Sequence, residues 1–110
     1  MINARTKGKR YEQQIANLWR QLFGGHPERT AYASKKLDDM GVDLTDTDPF
    51  LIQCKAVEQS LNVHDILERM PSDDRYPVVM HKRNNRGTVV SMSLSDFLEI
   101  VEMMRTNGLI

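Results

Sequence analysis

Asp43 and the triplet Gln53-Cys54-Lys55, ten residues further on, are the side chains of this sequence whose types and spacing suit chemistry at a phosphate. Phosphodiester hydrolysis needs a nucleophilic water and relief of the charge that builds on the phosphate. A divalent cation held by hard oxygen ligands supplies both. Asp43 offers the carboxylate anchor. Gln53 and Lys55 stand two apart, so on an extended strand they share a face. Gln53 adds a neutral oxygen, and Lys55 an ammonium able to orient or activate the water or to stabilise the pentacovalent phosphate. The backbone carbonyl of Cys54 points sideways from such a strand and is a further uncharged ligand. Magnesium is the expected ion, with manganese able to replace it.

For these groups to meet, the chain around them must fold back on itself. Thr45-Asp46-Thr47-Asp48-Pro49 is a polar run ending in proline and predicts a turn. Residues 42–46 and 50–56 flank it as a hairpin, with Phe50, Ile52 and Cys54 on one face and Leu51, Gln53 and Lys55 on the other. Upstream, Tyr11, Ile15, Leu18, Trp19 and Leu22 recur at helical spacing from Gly8 to Phe23, and Gly24-Gly25 supply a stop. Glu12 sits beside that stripe and can reach the edge of what the helix covers. Residues 1–7 are polar and read as a flexible, basic N-terminus. Residues 29–34 alternate weakly, predicting a short strand.

Downstream, Asn62 caps a short helix through Met70, closed by Pro71. Pro77 to His81 is a nearly continuous apolar run, the pattern of a buried strand. Asn84-Asn85-Arg86-Gly87 is turn chemistry, followed by a strand from Thr88 to Met92. Ser93 and Asp96 form a capping pair for a last helix ending at Gly108, with Phe97, Leu98, Val101 and Met104 as its inner stripe. The predicted order is α-β-β-β-α-β-β-α. This is an α/β (α+β) domain with a small mixed sheet flanked by helices.

One hundred and ten residues make one domain, and 40% hydrophobic with 27% charged residues is ordinary for a soluble globular protein. No apolar run reaches the ~20 residues that span a bilayer, and no charged-then-apolar leader opens the chain. The lone Cys54 cannot form an intramolecular disulfide. A cytoplasmic protein without membrane attachment is expected. The formal net charge is zero, yet its distribution is uneven. Residues 1–36 carry eight bases against Glu12 and Glu28, and residues 75–91 carry four bases and no acid, whereas 37–74 carry ten acids and two bases. Phosphate backbones respond to local patches rather than to totals.

Each of these residues also has a plain structural reading. Gln53 and Lys55 can be solvent-facing strand positions, Asp43 a turn residue and Glu12 a solvated helix flank. His26, His64 and His81 share no metal-ligand spacing and read as surface or structural residues. Cys54 reads as a small core residue, without a histidine partner to make it a nucleophile.

Taken together, the arrangement resembles the PD-(D/E)xK nuclease superfamily, and within it the small archaeal and phage Holliday junction resolvase-like endonucleases. Gly8 and Glu12 fall on the opening helix, Arg29 and Ser34 near the first strand, then come Asp43 and Ile52-Gln53-Cys54-Lys55. The segments from Pro77 to Arg83 and from Ser93 to Val101 are also similar, so the likeness covers residues 8–105. It implies a restriction-endonuclease-like fold, with Glu12, Asp43 and Gln53 at metal-site positions, Lys55 as the catalytic lysine, and Ser34 near the scissile phosphate. Gln53 departs from the Asp or Glu of most relatives and resembles the Gln-x-Lys variant of Mrr-type restriction endonucleases. A neutral amide holds a cation more weakly than a carboxylate.

The resulting expectation is a magnesium-dependent, structure-selective DNA endonuclease acting on substrates such as four-way junctions. Lys7, Lys9, Arg10, Arg29, Lys35, Lys36, Lys82, Arg83 and Arg86 are its candidate backbone contacts. Symmetric cutting of two strands implies a homodimer. Two other readings stay open. One is a non-catalytic nucleic-acid-binding or partner-binding module on the same fold, and the other a duplex-nicking or restriction-type nuclease.

Overall fold

The computed structural model describes residues 3–110. In chain order it contains α1 (Ala4–Phe23), α2 (Thr30–Ala33), α3 (Lys35–Asp39), β1 (Phe50–Ala56), α4 (Val63–Arg69), β2 (Tyr76–Lys82), β3 (Val89–Ser91) and α5 (Leu94–Thr106). The three strands form one mixed sheet in the order β1-β2-β3. β1 and β2 run parallel in a register that pairs Gln53 with Val79 and Lys55 with His81, and α4 lies on the connection between them. β3 returns antiparallel to β2, pairing His81 with Val89.

β1 is apolar on both faces, and each face has its own core. Ile52, Cys54 and Ala56 pack with Tyr11, Ile15 and Ala16 of α1 and with Leu44 and Val78. Leu51 packs on the opposite side with Val42, Met70 and Val79, against α4. A parallel strand covered on both sides reads as a continuous apolar run, as Phe50 to Ile52 and Val78 to Val79 do. Gln53 and Lys55 lie on the same face of β1 as Leu51 but are only half-buried.

Several expected elements take another form. α1 starts at Ala4, where the Asn3 side chain accepts from Thr6 N at 2.9 Å, so residues 4–7 are helical rather than frayed. The remainder of that expected flexible start, Met1 and Ile2, lies outside the described residues. Leu18 and Leu22 are exposed, because the narrow sheet accepts only the Tyr11-Ile15-Ala16-Trp19 side of the helix. The expected strand at 29–34 is two short helices. Ser34 ends α2 and caps α3, accepting from Leu37 N, and these local bonds outcompete a weakly alternating strand.

The expected strand at 42–46 is reduced to a single bridge between Arg29 and Leu44. Val42 points into the α4-side core and Leu44 into the α1-side core, so the chain rotates between them instead of keeping a strand's alternation. One backbone bond still ties this segment to the sheet, Asp43 N to Ile52 O, and two tie it to residues 28–30, Thr30 N to Asp43 O and Thr45 N to Glu28 O. The expected inner stripe of α5 is not a core stripe. None of its residues is buried, and Phe97 and Leu98 are 51% and 54% exposed. The Tyr76 hydroxyl donates to Glu99 Oε1 at 2.9 Å and tethers the helix. No helix among the described residues is long and apolar enough to cross a membrane.

Ile52 is fully buried at the centre of the α1-side core. Ile52→Ala is expected to cost about 2–5 kcal/mol of stability, from lost burial plus the cavity left behind, read as a lower denaturant midpoint.

Candidate active site

The site grows from one substitution in the hydrogen-bond ladder. Asp43 N donates to Ile52 O at 2.8 Å, as in a hairpin. At the next rung Cys54 N donates not to a backbone carbonyl but to the Asp43 side chain, at 2.7 Å to Oδ2. N–H and C=O of one residue leave an extended strand on the same side, so the Cys54 carbonyl is turned toward Asp43 as well. Gly41 sets up the approach. Its φ of +78° disfavours any side chain, and a Cβ there would sit 3.5 Å from Gln53 Oε1. The Gln53 amide oxygen therefore lies against the start of the Gly41-Val42-Asp43 segment.

Glu12 reaches the same place from α1. Its Oε2 accepts from Arg29 Nε at 3.0 Å, and both partners are largely withdrawn from solvent. Arg29 also stacks over the Tyr32 ring at 5.0 Å. Thr30, fully buried, donates to Val42 O at 2.6 Å and fixes the strip that carries Asp43. Each carboxylate thus has one oxygen pinned, Oδ2 of Asp43 and Oε2 of Glu12. Their other oxygens have no hydrogen-bond partner among the described residues.

The electrostatics follow from this packing. Burial pushes the Asp43 carboxyl up from 3.8 to about 7; the Cys54 N–H and the Lys55 ammonium oppose the rise, and the nearby Glu12 and Asp38 carboxylates add to it. Burial likewise raises the Cys54 thiol, assisted by Asp43 and Glu12, so Cys54 is a packing residue and not a nucleophile. Among the described residues no three His, Cys, Asp or Glu side chains are grouped to hold an ion by themselves. The oxygen donors here are two carboxylates, one amide and one backbone carbonyl. Hard oxygen donors of this kind, two of the four neutral, fit magnesium or manganese.

The other expected site residues fall out differently. Ser34 Oγ is occupied as the α3 cap and is not hydrogen-bonded to Asp43, Gln53 or Lys55. Arg29, only 8% exposed, is paired with Glu12. Lys7 pairs with Glu58 at 3.4 Å and Lys35 with Asp39 at 3.2 Å. Lys82 lies 5.7 Å over the Tyr11 ring. Lys9, Arg10, Lys36, Arg83 and Arg86 are exposed. The sequence reading missed Asp38, whose carboxylate lies near Asp43; Asp38-Asp39 reads as ordinary helix surface, and no spacing signals its approach. It also missed that Arg29 serves Glu12, since a pairing across seventeen residues of sequence leaves no local mark.

Compared with models of known protein families, with curated proteins and with solved structures, the chain matches none.

The Asp43 shift has a consequence for stability. An acid whose folded pKa lies above its unfolded one stabilises fully below the unfolded value, and that stability is lost as pH rises through the folded one. From 3.8 to about 7, the loss is on the order of 4 kcal/mol at most. In chelator, wild-type stability is expected to fall between pH 4 and pH 7 by more than that of Asp43→Asn, whose neutral amide has no proton to lose. Parallel denaturant titrations across that range would show it; identical slopes would mean Asp43 is not held at a raised pKa.

Proposed function

We propose that this chain is a metal-dependent DNA endonuclease of the restriction-endonuclease-like type. The observation that carries the reading is the pair of carboxylates, Asp43 and Glu12, each with one oxygen pinned, beside a strand face bearing Gln53 and Lys55. Asp43, Glu12, the Gln53 amide oxygen and the Cys54 carbonyl would hold the cation. When bound, it supplies charge relief on the phosphate and a more acidic water. A cation beside Asp43 would favour the ionised carboxylate and release its proton to solvent, offsetting the rise that burial causes.

The chain's own residues do the rest. Lys55, close enough to Asp43 to lower its pKa, is the ammonium that orients the attacking water and meets charge developing on the phosphate. Arg29 keeps the Glu12 carboxylate turned toward the site. Lys9, Arg10, Arg83 and Arg86 offer exposed cations to the DNA backbone. The substrate we favour is branched DNA such as a four-way junction, cut by a homodimer. Support for a two-fold partner comes from α5, where Leu94, Phe97 and Leu98 are exposed and Val101 and Met104 are only half-buried among the described residues. In an antiparallel pair of α5 helices, Asp96 and Glu99 of one copy would approach Arg105 of the other.

With magnesium or manganese, the purified protein is expected to cut a four-way junction faster than a linear duplex of the same sequence. Lys55→Ala should lower the rate at least ~100-fold while leaving the dissociation constant for DNA within about twofold. A folded wild type that cuts neither substrate would overturn the enzyme and leave a DNA-binding module. Phe97→Asp is expected to shift the protein from dimer to monomer in light scattering while its circular dichroism stays that of the folded chain; an unchanged mass would remove α5 as the interface.

A further inference from the structure

Beyond the carboxyl ends of β1 and β2 lies a cleft of about 780 Å³, of whose lining only Arg83 and Arg86 have been given a part, as backbone contacts. Ligands of parallel sheets commonly sit outside the carboxyl ends of strands. One side of the cleft is the segment after β1, with Gln59, Ser60 and Leu61; the other is the end of β2 and the β2–β3 turn, with His81, Arg86 and Val89. The turn is anchored. Glu58 Oε1 accepts from Asn84 N in the turn and pairs with Lys7 on α1, so the two rims are tied together. The His81 ring is fixed by the contact of Nε2 with Ser91 Oγ at 2.8 Å, and its Nδ1 has no hydrogen-bond partner among the described residues.

The cleft is continuous in register with the candidate active site. His81 is the β2 partner of Lys55, and paired residues of neighbouring strands project to the same face. A ligand on Lys55 thus has this opening directly beside it. The lining combines guanidinium groups and an imidazole with an amide and apolar walls from Leu61, Val63 and Val89. A phosphate backbone alone would need only the cations. A nucleotide needs the cations for its phosphate, apolar walls for the faces of its base and an amide for the base edge. A volume of several hundred Å³ suits one such unit.

We propose that this cleft takes a single unpaired nucleotide of the DNA strand lying on Lys55, and that the protein thereby selects DNA with an unpaired or displaced base over continuous duplex. The inference rests on the DNA-nuclease reading and sharpens its substrate class. A perfect duplex keeps its bases stacked and cannot fill the cleft without extruding one, whereas a branch point or bulge presents a base at little cost.

The test measures fluorescence anisotropy of the full chain in chelator, so that binding is read apart from cleavage. The probes are a labelled duplex and the same duplex carrying a one-nucleotide bulge. The bulged probe is expected to bind about tenfold tighter. Val89→Glu, at a position 55% exposed and so tolerant of substitution, should erase that preference and leave duplex binding within about twofold. Gln59→Ala should reduce the preference in the same direction. Equal wild-type affinity for the two probes would overturn the proposal, as would a Val89→Glu effect equal on both, which would mean charge alone. Loss of the bulge preference with cleavage intact sinks only the cleft, and a preference without cleavage in magnesium sinks only the nuclease.

Discussion

The 2.7 Å bond from Cys54 N to the Asp43 carboxylate is the constraint around which the rest of the site is arranged. A backbone N–H on the open edge of β1 must find an acceptor, since leaving it buried and unpaired costs about 1–3 kcal/mol. Here the acceptor is a side chain, and that choice has two effects. It satisfies the strand edge where the hairpin ladder stops, and it holds a carboxylate in a half-buried position that would otherwise drive it into solvent. Val42 and Leu44, essentially without exposure, clamp the segment from opposite sides of the sheet. Asp43 cannot retreat because both of its neighbours are committed to different cores.

Glu12 is placed by a second device of the same kind. α1 delivers it one position after the buried Tyr11, and Arg29 fixes its rotation through Nε. A largely buried ion pair contributes little net stability, because desolvation offsets most of the attraction, but removing one partner strands the other. Its worth in this structure is geometric. Arg29 neutralises Glu12 enough for a second carboxylate to sit near Asp43, and the stack on Tyr32 keeps the guanidinium from turning outward.

Much of the frame was legible because it is local. The β1 and β2 apolar runs, the Asn62 and Ser93 caps and the Asn84–Gly87 turn all lie where pattern and capping chemistry put them. The meeting of Asp43 with Gln53-Cys54-Lys55 was also readable, since a polar turn between two runs dictates an antiparallel approach. What could not be read is non-local. Thr30 is buried through a bond to Val42 O, twelve residues away, which no local pattern announces. The outward apolar face of α5 has the periodicity of a core helix, and periodicity does not say whether the surface it covers belongs to the same chain.

The neutral oxygen at Gln53 becomes intelligible in this setting. Its amide lies against Gly41, at the head of the segment that carries Asp43. A glutamate there would be a third carboxylate among the proposed donors, in a place where burial and the nearby Glu12 and Asp38 charges already bring Asp43 to about 7. At Asp43 the Cys54 N–H and the Lys55 ammonium oppose that accumulation, while Arg29 is spent on Glu12. With a cation present a third charge would strengthen the grip; without one it would push protons onto the pair and loosen the Cys54 rung that orders the edge of β1. At the proposed cation site the amide would keep an oxygen in the donor set while sparing the fold that repulsion. Cation affinity and the integrity of the strand edge would there compete for the same few ångströms, and an amide at Gln53 favours the edge.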